Sequence, residues 1–106
     1  MATAEGTGDT VTLTVPRSMG MFIQGVVYER WAQDEQWGVS NHDPILWSAI
    51  ISKHVGRINA DALDALSLHG NDSKEFVAFM QFTQRLIVVA AVCCAAAESM
   101  NRAEWS

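Results

Sequence analysis

Lys53, His54 and Arg57 fall within little more than one helical turn of the stretch WSAIISKHVGR, residues 47 to 57. Clustered cationic side chains hold anions well, phosphate above all, because charge-assisted hydrogen bonds add to the Coulomb attraction. The same residues also suit a hydrated helix face. There Arg57 and Asp61, four apart in the less favourable order, contribute only a few tenths of a kcal/mol. Packing three like charges tightly with no anion is the costly arrangement.

Other reactive residue types give weaker signals. His42, His54 and His69 are too dispersed to suggest a metal site, and no metal or cofactor is expected. His42 precedes Asp43 at a helix start, where a structural hydrogen bond is the simpler role. Cys93 and Cys94 are adjacent, which strains a mutual disulfide, and no CxxC pattern accompanies them. They read as small buried thiols, reduced in a cytosol. Trp31, Trp37, Trp47 and Trp105 could stack on a base, but packing in a core or interface is the default. Asn71-Asp72-Ser73 matches a glycosylation sequon and is better explained as helix capping.

Composition bounds what can position these residues. A chain of 106 residues supports one core, and with 49% hydrophobic and 18% charged residues it is neither disordered nor evenly apolar. The net charge of −5 argues against direct nucleic-acid binding by the whole surface, since that affinity comes from clustered Lys and Arg. Met1 to Pro16 lacks the basic and apolar regions of a secretory signal, so a cytoplasmic location is expected. The run LIVVAAVCCAAA, residues 86 to 97, falls short of a bilayer span and reads as a core helix, with no membrane role.

The segment TVTLTVP, residues 10 to 16, alternates Thr with Val and Leu and predicts a short strand or extended arm after a loose start. Residues 1 to 16 thus form an N-terminal arm, and residues 17 to 106 a single all-α domain of three helices. The first helix runs from about Ser18 to Trp37 and can stop at Gly38. Asp43 as N-cap and Pro44 at the first position open the second, which runs to about His69. Gly70 suits a left-handed end, and Asp72 with Glu75 reads as a capping box for a third helix to about Asn101. Trp47, Ile51, Val55, Ile58, Ala62 and Leu66 form one apolar stripe on the second helix, whereas Lys53, Arg57, Asp61 and Asp64 share another face. From Leu86 to Ala97 the third helix is apolar or small on every side. Two neighbouring helices cannot cover it, so a homo-oligomeric bundle is expected, which a charge at Val92 should disrupt.

The stretch YERWAQDEQWGVSNHDPILWSAI, then VGR, then LIVVAAVCCAAAESMNR resembles the MazG-like all-α nucleoside triphosphate pyrophosphohydrolases, in particular the phage and prophage type. Gln33, Trp37, Gly38, Asn41, His42, Asp43 and Trp47 carry most of this resemblance, with residues 89 to 92, Glu98 and Arg102 behind them. It implies an oligomeric helical bundle and Mg²⁺-dependent release of pyrophosphate. It also implies where the metal carboxylates belong. Three of those positions hold Lys53, His54 and Arg57, and two on the third helix hold Arg85 and Val88. Cationic side chains repel Mg²⁺, which requires hard anionic oxygens.

The combined expectation is a family-like protein without catalytic residues that acts by binding. Lys53, His54, Arg57 and Arg85 are candidates for an anion site, the alternative being a surviving nucleotide binder or a rearranged pyrophosphohydrolase. The leading reading is a protein binder, an inhibitor of a host defence such as a CRISPR effector. An acidic exterior that includes Glu35, Asp64 and Asp72 would meet the basic groove of such a host protein.

Overall fold

The computed structural model describes residues 3–102, so Trp105 lies outside the described residues. The element order is β1 (Thr3–Thr7), β2 (Thr10–Thr14), α1 (Arg17–Trp37), α2 (Pro44–Ser67) and α3 (Asp72–Arg102). Three helices make up most of the molecule, as the apolar periodicity requires.

The loose start is where the structure first departs from expectation. Residues Thr3 to Thr7 pair antiparallel with Thr10 to Thr14, with Ala4 opposite Leu13 and Gly6 opposite Val11. Gly8 and Asp9 are the two-residue link, and Gly8 takes φ 59°, the left-handed conformation that short hairpin turns demand. Directly opposed residues share a face, so Ala4, Gly6, Val11 and Leu13 form an apolar side. That side is uncovered, since Val11 and Leu13 are both exposed.

Helix boundaries follow local chemistry. Asp43 Oδ1 accepts from the Leu46 N–H at 2.8 Å, with Pro44 in the first position of α2. Gly38 ends α1 at φ 72°, and its N–H donates to the Asp34 carbonyl at 2.8 Å. Gly70 turns the chain between α2 and α3 at φ 92°. The cap of α3 sits one residue earlier than expected. Asn71 Oδ1 accepts from the Lys74 N–H at 3.4 Å, and the Glu75 carboxylate reaches back to the Gly70 N–H at 3.0 Å. Asp72 is therefore the first helical residue, where its negative charge favours the N-terminal end of the helix dipole.

α3 is the central helix, with α1 and α2 each packed along it. Its inward positions are small: Ala78, Ala91, Val92, Ala95 and Ser99 are buried. Gly25 of α1 makes the approach still closer, because a Cβ there would stand 3.1 Å from Ile87 Cδ1. Trp47 fills the space against Val92 and Ala95, with Ile50, Ile51, Ala96 and Met100 around them. Val92 therefore belongs to the chain's own core, and a charge there would unfold the chain before it parted any subunits.

Several expected core residues lie outside this core. The second half of the α2 stripe is open: Val55 and Leu66 are exposed, and Leu66 lines a groove of about 260 Å³ shared with Phe79 and Phe82. Cys93 and Cys94 are free and exposed, Cys93 on the side of α3 opposite its buried residues and Cys94 beside Glu98 at the α1 border. Trp31 and Trp37 are exposed as well, which leaves Trp47 as the tryptophan of the core among the described residues. By length and composition α3, at 31 residues, is sufficient to cross a membrane, since the apolar character extends beyond residues 86 to 97.

The Gly25 contact gives a direct check on packing. Gly25→Leu should lower stability by about 1–3 kcal/mol through overpacking against Ile87, measured by urea unfolding followed by circular dichroism. An unchanged midpoint would show that α1 does not press on α3 at this point.

Candidate functional site

A cavity of about 340 Å³ opens where the end of α1, the link through residues 38–43, the start of α2 and the second half of α3 meet. Gln33, Trp37, Gly38, His42 and Trp47 line it, so five of the seven residues that carry the sequence resemblance converge on one space. The remaining two hold its rim. Asn41 Oδ1 accepts from Arg102 Nε at 2.9 Å, and Asp43 caps α2. A second Arg102 contact, Nη2 to the Ser40 carbonyl at 3.2 Å, ties the link to α3.

Arg30 organises the charged side of the cavity. Its Nε donates to Glu98 Oε2 at 2.8 Å, and its Nη1 donates to Asp34 Oδ1. Burial alone would lower the Arg30 pKa, but the hydrogen bonds and charges of Asp34 and Glu98 outweigh it and the pKa is raised. Cys94 Sγ also meets Glu98 Oε2, at 3.4 Å. Burial, then that bond and charge, push the Cys94 thiol pKa up, which keeps it protonated and unreactive. Sequence order gives little warning of this cluster: Arg30 and Asp34 at i,i+4 are visible, but Glu98 is 68 residues away.

Aromatic and imidazole groups form the other side. The His42 ring meets Trp47 edge to face, with centroids 4.9 Å apart, in place of the hydrogen bond expected in that turn. Trp47 Nε1, His54 Nδ1 and Ser99 Oγ are buried without hydrogen-bond partners among the described residues. Trp47 and His54 line the cavity, so their unpaired polar atoms are the ones a polar ligand could satisfy.

Of the four candidate anion residues, His54 alone lines this cavity. Burial lowers its pKa first, and the charges of Arg57, Arg85 and Lys53 lower it further, which places all four in one neighbourhood. Lys53 and Arg57 are exposed. Arg85 is half-buried, and its Nε donates to Asp61 Oδ2 at 3.0 Å. Asp61 thus pairs across helices and not with Arg57, and one of the four charges is already compensated.

The three acidic candidates do not form one patch. Asp64 and Asp72 lie at the α2–α3 connection, whereas Glu35 lies beside the cavity end of α3. From Ser73 to Glu98 that helix rises by about 37 Å. Glu35, Asp64 and Asp72 are exposed and make no ion pair among the described residues.

The residues at the metal positions that the resemblance implies do not fit Mg²⁺. Lys53, Arg57 and Arg85 offer no carboxylate oxygen, and Asp34 and Glu98 are engaged by Arg30. No group of three or more His, Cys, Asp or Glu among the described residues could hold a metal ion. No protein-family model, curated protein or solved structure matches the chain.

The environment of His54 sets a pH dependence. Its folded-state pKa lies below the ordinary 6.5, so the folded form favours neutral imidazole, and stability falls as pH drops through about 6.5, where the unfolded chain takes up the proton first. An NMR titration should place the His54 midpoint below 6.5, and Arg57→Ala should move it upward. A midpoint at or above 6.5 in the wild type would contradict this electrostatic description.

Proposed function

We propose that the chain works without catalysis, by binding a protein partner through the outward face of α1. The observation that carries this reading is the stripe Met21, Gln24, Tyr28, Trp31 and Glu35. These residues recur at spacings of three and four, and all are exposed. Tyr28 and Trp31 meet edge to face at 5.8 Å, and Gln24 Nε2 donates to the Tyr28 hydroxyl at 3.3 Å. Rigid, exposed aromatic side chains with polar atoms are the residues that dominate protein interfaces. Glu35 continues the stripe and adds a charge that suits a basic partner.

The resemblance to phage-type MazG-like proteins, together with the net charge of −5, supports a host protein with a basic groove as the target. A nucleic-acid-directed defence effector such as a CRISPR complex has that character, and an acidic stripe would compete there with nucleic acid. In this reading the chain acts in the cytoplasm and assembles with itself. It binds neither nucleic acid nor membrane directly. Although α3 is long and apolar enough to cross a bilayer, Arg85 lies within it and pairs with Asp61 of α2, which suits a helix packed against protein.

Capture of a partner from a host lysate, followed by affinity measurement with that purified partner, tests the proposal. Trp31→Ala or Tyr28→Ala should weaken binding by about tenfold or more. Glu35→Lys should slow association, with an effect that fades as salt is raised. Lys53→Ala and Arg85→Ala should leave affinity unchanged. Binding indifferent to Tyr28, Trp31 and Glu35 would refute the assignment.

A second reading has its own support in the unpaired Trp47 Nε1 and His54 Nδ1 at the cavity. A nucleotide held there without turnover would give calorimetric heat that Lys53→Ala and His54→Ala abolish. Neither reading supplies carboxylates for Mg²⁺. Incubation with nucleoside triphosphates and Mg²⁺ or Mn²⁺ should therefore release no pyrophosphate above a buffer control, and metal-dependent turnover lost on Arg57→Ala would restore the enzyme.

A further inference from the structure

α3 carries a second repeat on the side opposite its buried Ala91, Val92, Ala95 and Ser99, bordering α2 where Phe79 and Ala97 line grooves with it. Phe76, Phe79, Thr83 and Leu86 in its first half, then Ala90, Cys93 and Ala97, alternate spacings of three and four across three heptads. All are exposed except Ala90, which is half-buried. The one hydroxyl in the row is satisfied internally, because Thr83 Oγ1 donates to the Phe79 carbonyl at 3.0 Å. A seam of period 3.5 that buries no unpaired polar group is what helix-to-helix pairing requires.

The exposed surface of the chain says how much covering it needs. It amounts to 7708 Å², against about 5,800 Å² for a compact monomer of this mass. The radius of gyration is 16.2 Å, against about 13 Å. Part of the excess belongs to the projecting hairpin. The excess as a whole is larger than the roughly 800 Å² that each partner contributes to a standard interface.

We infer that the occupant of this seam is α3 of a second copy, running antiparallel across a two-fold axis at Leu86. Residue sizes decide the direction. Antiparallel pairing sets Phe76 against Ala97, Phe79 against Cys93 and Thr83 against Ala90, so each large side chain meets a small one and Leu86 meets its own copy. Parallel pairing would stack Phe76 and Phe79 on themselves and leave Ala90, Cys93 and Ala97 facing a gap. The first half of the seam lies beside the groove lined by Leu66 and Phe82, so pairing also covers that end.

Cysteine cross-linking of the full chain, with Cys94→Ser in every variant, tests the register. With Cys93 retained alone, two copies of this thiol lie seven residues either side of the axis, about 21 Å apart and far beyond disulfide reach. Phe79→Cys beside native Cys93 brings unlike positions together, and Leu86→Cys with Cys93→Ser brings like positions together. Under copper-phenanthroline oxidation at about 50 μM, each of these should form at least ~10-fold more covalent dimer than Cys93 alone. Circular dichroism confirms that each variant is folded, and the two independent variants guard against loss of one. Efficient cross-linking through Cys93 alone would overturn the antiparallel register, and absence of covalent dimer from both engineered variants would overturn the seam. Neither result touches the α1 stripe, whose test is partner affinity.

Discussion

A helix that is apolar or small around its whole circumference must be covered around its whole circumference. From Leu86 to Ala97 α3 imposes that constraint, and most of the architecture answers it. Its inward positions are occupied by Ala78, Ala91, Ala95 and Ser99, which have too little volume to fill a core alone. They let α1 and α2 approach closely, and Gly25 meets Ile87 for the same reason. Trp47 then supplies bulk that the alanines lack. Two helices still leave the opposite side bare. Phe76, Phe79 and Leu86 stay in contact with water in the single chain, and so do the thiols of Cys93 and Cys94.

The cavity is a by-product of the way the helix ends are tied. Gly38 turns the chain out of α1, Arg102 grips Ser40 and Asn41, and Asp43 starts α2, so the link is held at both ends and in the middle. Within it, Arg30 stands between two carboxylates. A buried guanidinium is tolerated because Asp34 and Glu98 are both in place, and removal of either partner would cost more than their pairing contributes. The opposite wall carries neutral His54 backed by Lys53, Arg57 and Arg85. The cavity thus has the Arg30–Asp34 pair on one side and the His54 imidazole on the other, with Lys53, Arg57 and Arg85 outside its lining, an arrangement poorly suited to holding a divalent metal.

Features set by adjacent residues were readable from the sequence. Asp43-Pro44, Gly38 and Gly70 mark helix ends because capping and left-handed turns depend on one or two residues. Gly8-Asp9 is an equally local hairpin signal, and the Thr and Val alternation after it marks only the second of the two strands. Asn71 and Asp72 are both good caps, so local sequence alone does not fix the start of α3, and the turn at Gly70 decides for Asn71. Longer-range features were hidden. Nothing near Arg30 announces Glu98, and nothing near Arg85 announces Asp61 in place of Arg57 as the acid's partner. The apolar stripe of α2 holds at Trp47, Ile51 and Ile58, but the covered side then follows His54, Asp61, Ala65 and Leu68 and leaves Val55, Ala62 and Leu66 exposed, because the charge pairing of Asp61 with Arg85 turns that face toward α3. Exposure is the one property that Glu35, Asp64 and Asp72 share, and they scatter over both ends of the molecule.

Sedimentation equilibrium of the full chain, over concentrations down to about 10 μM, addresses most directly whether α3 is completed by another copy. A species with twice the 11.6 kDa mass of one chain, or a higher multiple, is expected. It should dissociate on Phe79→Glu, which sets a charge on the bare face while leaving the inner core of Trp47, Val92 and Ala95 intact. A folded, strictly monomeric wild type across that range would contradict it, since a single chain would then leave the outer face of α3 in water.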